Sequence, residues 1–168
     1  SLRRGLYVPG PETDLPVPHL LLIANHLRGP SYVSLESALS YWGMIPERVY
    51  EVSSATLKTS KRYTTPLSRF SYLHLSAPYY SFGVRSVRLT EQQTALIASP
   101  EKAVCDKIIL TAGVLLRSIR QTQDFLLDDM RMDETVLRSL NVSEIRSWVE
   151  DAPKSQSLSM LVKTLEAL

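Results

Sequence analysis

Between Val49 and Ala98 the chain runs in short strand-like stretches, and on either side of them apolar residues recur at helical spacing. That succession of periods, helical, then two-residue, then helical, narrows the architectures open to the chain. Val49 to Ser54 alternates and is partly β-branched. Arg62 to Thr65 and Arg69 to His74 flank Pro66-Leu67-Ser68 and predict a hairpin. Val84 to Leu89 and Gln93 to Ala98 predict a second. On the strand after Ser68, Phe70, Tyr72 and His74 share one face, while Arg69, Ser71 and Leu73 share the other. The expected fold is α+β: a small, mostly antiparallel sheet over about residues 49 to 98, covered by helices from both flanks, with a helical part over 99 to 168.

The flanking helices carry their own start and stop signals. His19 to Leu27 is helical and is stopped by Arg28-Gly29-Pro30. Ser31-Tyr32-Val33 is a brief extended piece. The Ser34 hydroxyl is expected to cap a helix over Leu35 to Trp42, with Gly43 just past its end. Ser99-Pro100-Glu101 places a cap, a first-turn proline and an acid at the start of a helix running to about Leu110. Gln121 to Met130 is expected to be helical. Asn141 to Glu144 has capping-box form and opens a helix to about Glu150. Ser157 to Leu168 sets Leu158, Leu161, Val162 and Leu165 on one side. At the N-terminus Leu6-Tyr7-Val8 reads as a strand ended by Pro9-Gly10-Pro11. The chain enters this strand almost at once from Ser1, which predicts further residues upstream.

A chain of 168 residues that is 44% hydrophobic and 21% charged can build one core unaided. No apolar run approaches the ~20 residues of a membrane span, and no membrane partner is expected. Cys105 is the only cysteine, which excludes an intrachain disulfide framework and an all-cysteine zinc site. One unpaired thiol and a start without a basic-then-apolar leader point to a reducing cytoplasm.

Catalytic constellations find little support. Cys105 lies mid-helix without a base beside it and reads as a buried small residue. His19 and His26 are two helical turns apart, too far for a shared metal, and His74 stands alone. The six glycines form no phosphate-binding loop. Asp124, Asp128, Asp129 and Asp133 match no calcium loop. Glu101, Lys102 and Asp106 could be drawn into a nuclease, but Glu101 is accounted for by the helix dipole. The chain is therefore expected not to be an enzyme, and no cofactor is expected.

The net charge of +2 hides a split. From Val52 to Thr90 there is no acid, while Lys58, Lys61, Arg62, Arg69, Arg85 and Arg88 give a formal +6. Residues 91 to 168 carry nine basic and twelve acidic side chains. Tyr63, Phe70, Tyr72, Tyr79, Tyr80 and Phe82 are interleaved with the cations, a composition that can pair phosphates and stack bases. Strand alternation assigns about half of these aromatics to the core.

Four segments resemble AbiEi-family antitoxins in the order that family has them. PSYVSLESALSYWGMIPERVYEV over 30 to 52 is similar to its central signature at Ser34, Leu35, Glu36, Ala38, Leu39, Gly43, Ile45, Pro46 and Glu47. TTPLSRFSYLHL over 64 to 75 resembles its following hairpin, and ASPEKAVCDKI over 98 to 108 resembles a helix start. RRGLYVP over 3 to 9 resembles the wing of an N-terminal winged helix. Ser68 stands where the family has glycine, and Lys107 where it is usually apolar. The resemblance implies a wing remnant and linker over 1–17 and an antitoxin domain over 18–168. It also implies a regulator that represses its own promoter and neutralises a cognate nucleotidyltransferase-like toxin. In that setting Arg3, Arg4, Lys58, Lys61, Arg62, Arg69, Arg85 and Arg88 are the expected nucleic-acid-binding residues, and promoter DNA is met mainly by the region upstream of Ser1. A regulator or interaction module without a toxin is the alternative.

Overall fold

The computed structural model describes residues 18–168, so the expected strand at Leu6-Tyr7-Val8, and Arg3 and Arg4, lie outside the described residues. Six strands form the sheet: β1 (Ser31–Val33), β2 (Glu51–Thr56), β3 (Lys61–Thr64), β4 (Arg69–His74), β5 (Val84–Arg88) and β6 (Thr94–Ala98). Their order is β3-β4-β2-β1-β6-β5. Both predicted hairpins form: β3 and β4 pair antiparallel with Lys61 opposite Tyr72, and β5 and β6 with Val84 opposite Ala98. β1 pairs antiparallel with β2. Parallel pairing joins β2 to β4 and β1 to β6. The sheet is thus mixed and mostly antiparallel. It begins earlier than residue 49, because the short piece Ser31–Val33 is a central strand, buried at every residue.

The register shows how the helices cover it. Ser54 and Ala55 are neighbours on β2 and so point to opposite faces. Tyr72 lies opposite Ser54, and its hydroxyl donates to the Ala24 carbonyl at 2.5 Å, in α1 (Leu20–Leu27). Tyr32 lies opposite Ala55, and its hydroxyl donates to Asp106 at 2.7 Å, in α3 (Pro100–Leu110). Hence α1 covers one face and α3 the other. α2 (Leu35–Tyr41) joins α3 on the second face, where the Ser53 hydroxyl donates to the Ser34 carbonyl at 2.8 Å.

The C-terminal part is helical as expected, with different boundaries. α4 (Ile119–Gln123) begins before Gln121 and passes into a π-helical turn at Asp124–Asp129. α5 (Glu134–Arg138) was not predicted; Asp133 starts it by accepting the Thr135 and Val136 amides. α6 (Val142–Trp148) ends in a 3-10 turn. Its Asn141 side chain accepts the Glu144 amide at 3.1 Å, but Glu144 does not return the bond. Glu101 takes the Asn141 amide instead, at 3.0 Å, which ties α6 to the start of α3. α7 (Ser155–Ala167) buries Leu158, Leu161, Val162 and Leu165, each such side chain contributing about 1.5–3 kcal/mol. Among the described residues no helix is long and apolar enough to cross a membrane.

Candidate functional site

The strand order divides the basic block. Lys61 and Arg62 lie on β3, Arg69 on β4 and Lys58 just ahead of β3, all exposed at one edge of the sheet. Arg85 and Arg88 lie on β5, the opposite edge. Five interstrand spacings put these edges about 24 Å apart. The two groups also differ in their partners. At the β3 edge, Arg62 is 3.6 Å from Glu51, and Lys58, Lys61 and Arg69 have no carboxylate within ion-pair distance among the described residues. At the β5 edge, Arg85 is 3.8 Å from Glu101 and lies 5.6 Å from the Trp42 ring.

The interleaved aromatics belong to the core to a greater extent than alternation predicts. Phe70, Tyr72 and Tyr79 are buried, and Tyr63, Tyr80 and Phe82 are half-buried and packed against the core. Among the described residues the most exposed aromatic is Tyr50, at 79%. It lies outside the acid-free block, in the connection between α2 and β2.

Behind the sheet lies a buried polar centre. Asp106 Oδ2 accepts from the Tyr32 hydroxyl and from Ser34 Oγ, each at 2.7 Å, and Oδ1 accepts from the Tyr79 hydroxyl at 2.7 Å. The expected side-chain cap by Ser34 is therefore not made. A bond to a carboxylate is roughly twice as strong as one between neutral groups, so Asp106 wins the hydroxyl. The amide of Ser37 in the first turn of α2 donates instead to Ser53 Oγ, at 3.2 Å.

One turn ahead of Asp106, Lys102 is fully buried. Its ammonium donates to the Tyr79 carbonyl and, at 3.3 Å, to that of Tyr80. It stands 3.7 Å from the Tyr79 ring centre, with the rings of Tyr32, Phe82 and Trp148 within 5.8 Å, a cage suited to a cation. Burial lowers its pKa to about 8, against the pull of Asp106. Burial pushes the Asp106 carboxyl up, opposed by the Lys102 charge and by its hydroxyl donors. The same burial raises Tyr32 and Tyr79, and takes Tyr80 to about 12.

Glu101, Lys102 and Asp106, the residues a nuclease reading would draw on, are all enclosed. Lys102 and Asp106 are sealed and Glu101 is buried, so none reaches a phosphate in this fold. Among the described residues no three His, Cys, Asp or Glu side chains are grouped to hold a metal ion. Cys105 is buried beside them, as expected. His19 Nδ1 caps α1 by accepting the Leu21 amide at 3.1 Å.

Two segments far apart in sequence meet here. SYVSL supplies Tyr32 and Ser34, and SPEKAVCDK supplies Lys102 and Asp106. Lys107 makes a second link by pairing with Glu36 at 2.7 Å. The signal for the centre in the sequence is only Tyr32 and Ser34, two apart across the end of a strand, and Lys102 and Asp106, four apart on a helix.

A cleft of about 550 Å³ opens on the α2–α3 side of the sheet. Its floor includes Arg62, Ser71 and Leu73, and its rim includes Arg48 and Tyr50. A second cleft of about 400 Å³ lies beyond Tyr50, between Glu51 and the β3–β4 turn, and holds Arg69. No family model matches the chain, and no curated protein matches it in sequence.

Proposed function

We propose that the chain is an antitoxin and transcriptional regulator of the AbiEi kind, acting in the cytoplasm on a cognate nucleotidyltransferase-like toxin and on its own promoter. One observation supports this reading above the rest: the two most distinctive segments of the resemblance interlock at Asp106, over separations of 72 and 74 residues. Residues that must meet to build one unit are residues a family pattern would hold together. In this reading Tyr32, Ser34, Lys102 and Asp106 are architectural. The exposed cations Lys58, Lys61 and Arg69 supply phosphate contacts that position DNA without reading its sequence, Arg62 beside them is offset by Glu51, and Arg88 stands at the opposite edge of the sheet. Arg85 contributes less, because Glu101 offsets it. Arg3 and Arg4, outside the described residues, are further candidates for phosphate contacts.

The test is growth rescue. The 168-residue chain and the full product of its gene are each expressed against a nucleotidyltransferase-like protein encoded beside it. Rescue by the shorter chain assigns neutralisation to this fold. Rescue by the full gene product alone assigns it to residues beyond these 168 acting with the fold. Failure of both, or the absence of a neighbouring nucleotidyltransferase frame, leaves a stand-alone DNA-binding regulator as the better reading.

A further inference from the structure

We infer that Tyr50 is the stacking platform of a site for single-stranded nucleic acid, with Arg48 and Arg69 as phosphate contacts on either side of it. Tyr50 is the most exposed of the large apolar side chains among the described residues, at 79%. It is shared by the two clefts of about 550 and 400 Å³ and forms the ridge between them. Arg48 lines the first cleft, with its guanidinium 5.6 Å from the Tyr50 ring centre. Arg69 lines the second. Neither has a carboxylate within ion-pair distance among the described residues, whereas three acids around them are engaged. Glu36 pairs with Lys107, Glu51 with Arg62 and Glu47 with Arg131. The cations left over are thus the two that flank the ring.

An exposed ring between two unpaired guanidinium groups has the chemistry of a strand read without sequence: a base on the ring, a phosphate on each side. Duplex DNA keeps its bases stacked and offers Tyr50 no free face, so the site distinguishes strand state. Lys58 and Lys61, exposed on the same acid-free edge, extend the positive potential beyond the clefts. The site does not depend on a toxin, so a failed rescue experiment leaves it standing.

The experiment measures fluorescence anisotropy of the whole chain with labelled oligodeoxyuridylate, oligouridylate and a duplex of equal length across a salt series. The expected result is binding of the single strands, with Tyr50→Ala weakening it about ten-fold and Tyr50→Phe retaining it. Arg48→Gln and Arg69→Gln should each flatten the salt slope for single strands by about 0.7. Preference for one of the two oligomers identifies the sugar the site takes. All three positions are exposed, and unchanged melting temperatures confirm that the four variants fold. Single-strand binding indifferent to Tyr50→Ala, binding of duplex alone, or equally effective displacement by a polyglutamate peptide would each overturn the assignment.

Discussion

At Asp106, three hydroxyls converge on one carboxylate with no exposure to water. Removing a donor from a buried acceptor costs more than the net value of a hydrogen bond, because the acceptor stays desolvated. Ser34→Ala is therefore expected to destabilise the chain by about 2 kcal/mol. In an Asp106→Asn background the same change should cost much less, since the carboxylate it served is gone. Thermal melts of the four variants check this; equal losses in both backgrounds would return Ser34 to the role of a helix cap. Lys102 carries a pH prediction. Its folded pKa of about 8 lies below the ordinary value near 10.5. Between those values the unfolded chain binds the proton and the folded chain does not, so stability rises with pH. The gain between pH 7.5 and pH 10 is about 2 kcal/mol. Above pH 10 the raised tyrosines act in the other direction, because Tyr32 and Tyr79 ionise more readily when unfolded. Chemical denaturation at pH 7.5 and 9.5 should show the rise in the native chain and lose it in Lys102→Met.

The elements show which parts of the fold local chemistry declares. The two hairpins are legible because Pro66-Leu67-Ser68 and the break before Gln93 stand between alternating runs, and both form with antiparallel register. Helix α3 is legible from its first three residues, and Ser99 Oγ accepts the Lys102 amide at 3.1 Å as predicted. β1 escapes notice as a central strand because three residues show no period; its place is set by the partners on both sides. Tyr50 escapes because exposure is decided by how the clefts close around it, and the polar centre because Tyr32 and Ser34 lie more than seventy residues from the Asp106 they serve. The join of β5 to α6 is another such tertiary constraint. Gly83 has φ +65°, and a Cβ there would come within 2.7 Å of the Trp148 ring and 2.9 Å of Lys102 Cβ. Gly83→Ala is expected to cost about 3 kcal/mol, from overpacking and a strained backbone together. A melt close to that of the native chain would mean that the Trp148 ring can move aside. At the far end of α3, Lys154 donates to the carbonyls of Ile108, Thr111 and Val114 at 2.8–3.1 Å. Lys154→Met withdraws donors and charge from that helix end and should cost about 2 kcal/mol, read by the same melts.

Across the whole molecule, a stretch that is uniformly basic in sequence becomes two separate edges in space. The fold places β2, β4, β1 and β6 between them, so Lys58 and Lys61 stand at one end of the sheet and Arg85 and Arg88 at the other. Edges about 24 Å apart and turned away from each other do not lie along one face of a single duplex. Their local fields differ as well, since Glu101 offsets Arg85 while Lys58 and Lys61 face no carboxylate among the described residues. If the chain contacts promoter DNA, the β3 edge carries the contact. Lys58→Gln with Lys61→Gln is expected to flatten the salt dependence of duplex binding by nearly two units, the slope lost with two phosphate contacts. Arg85→Gln with Arg88→Gln should change it by less than half as much, and removing these charges should weaken all sequences alike. Anisotropy titrations from 50 to 200 mM salt, roughly the range in which phosphate contacts govern affinity, measure both slopes. Equal slopes for the two pairs would mean that the duplex bends around the sheet or that two chains share it, and the charge split would then describe an assembly rather than a single contact face.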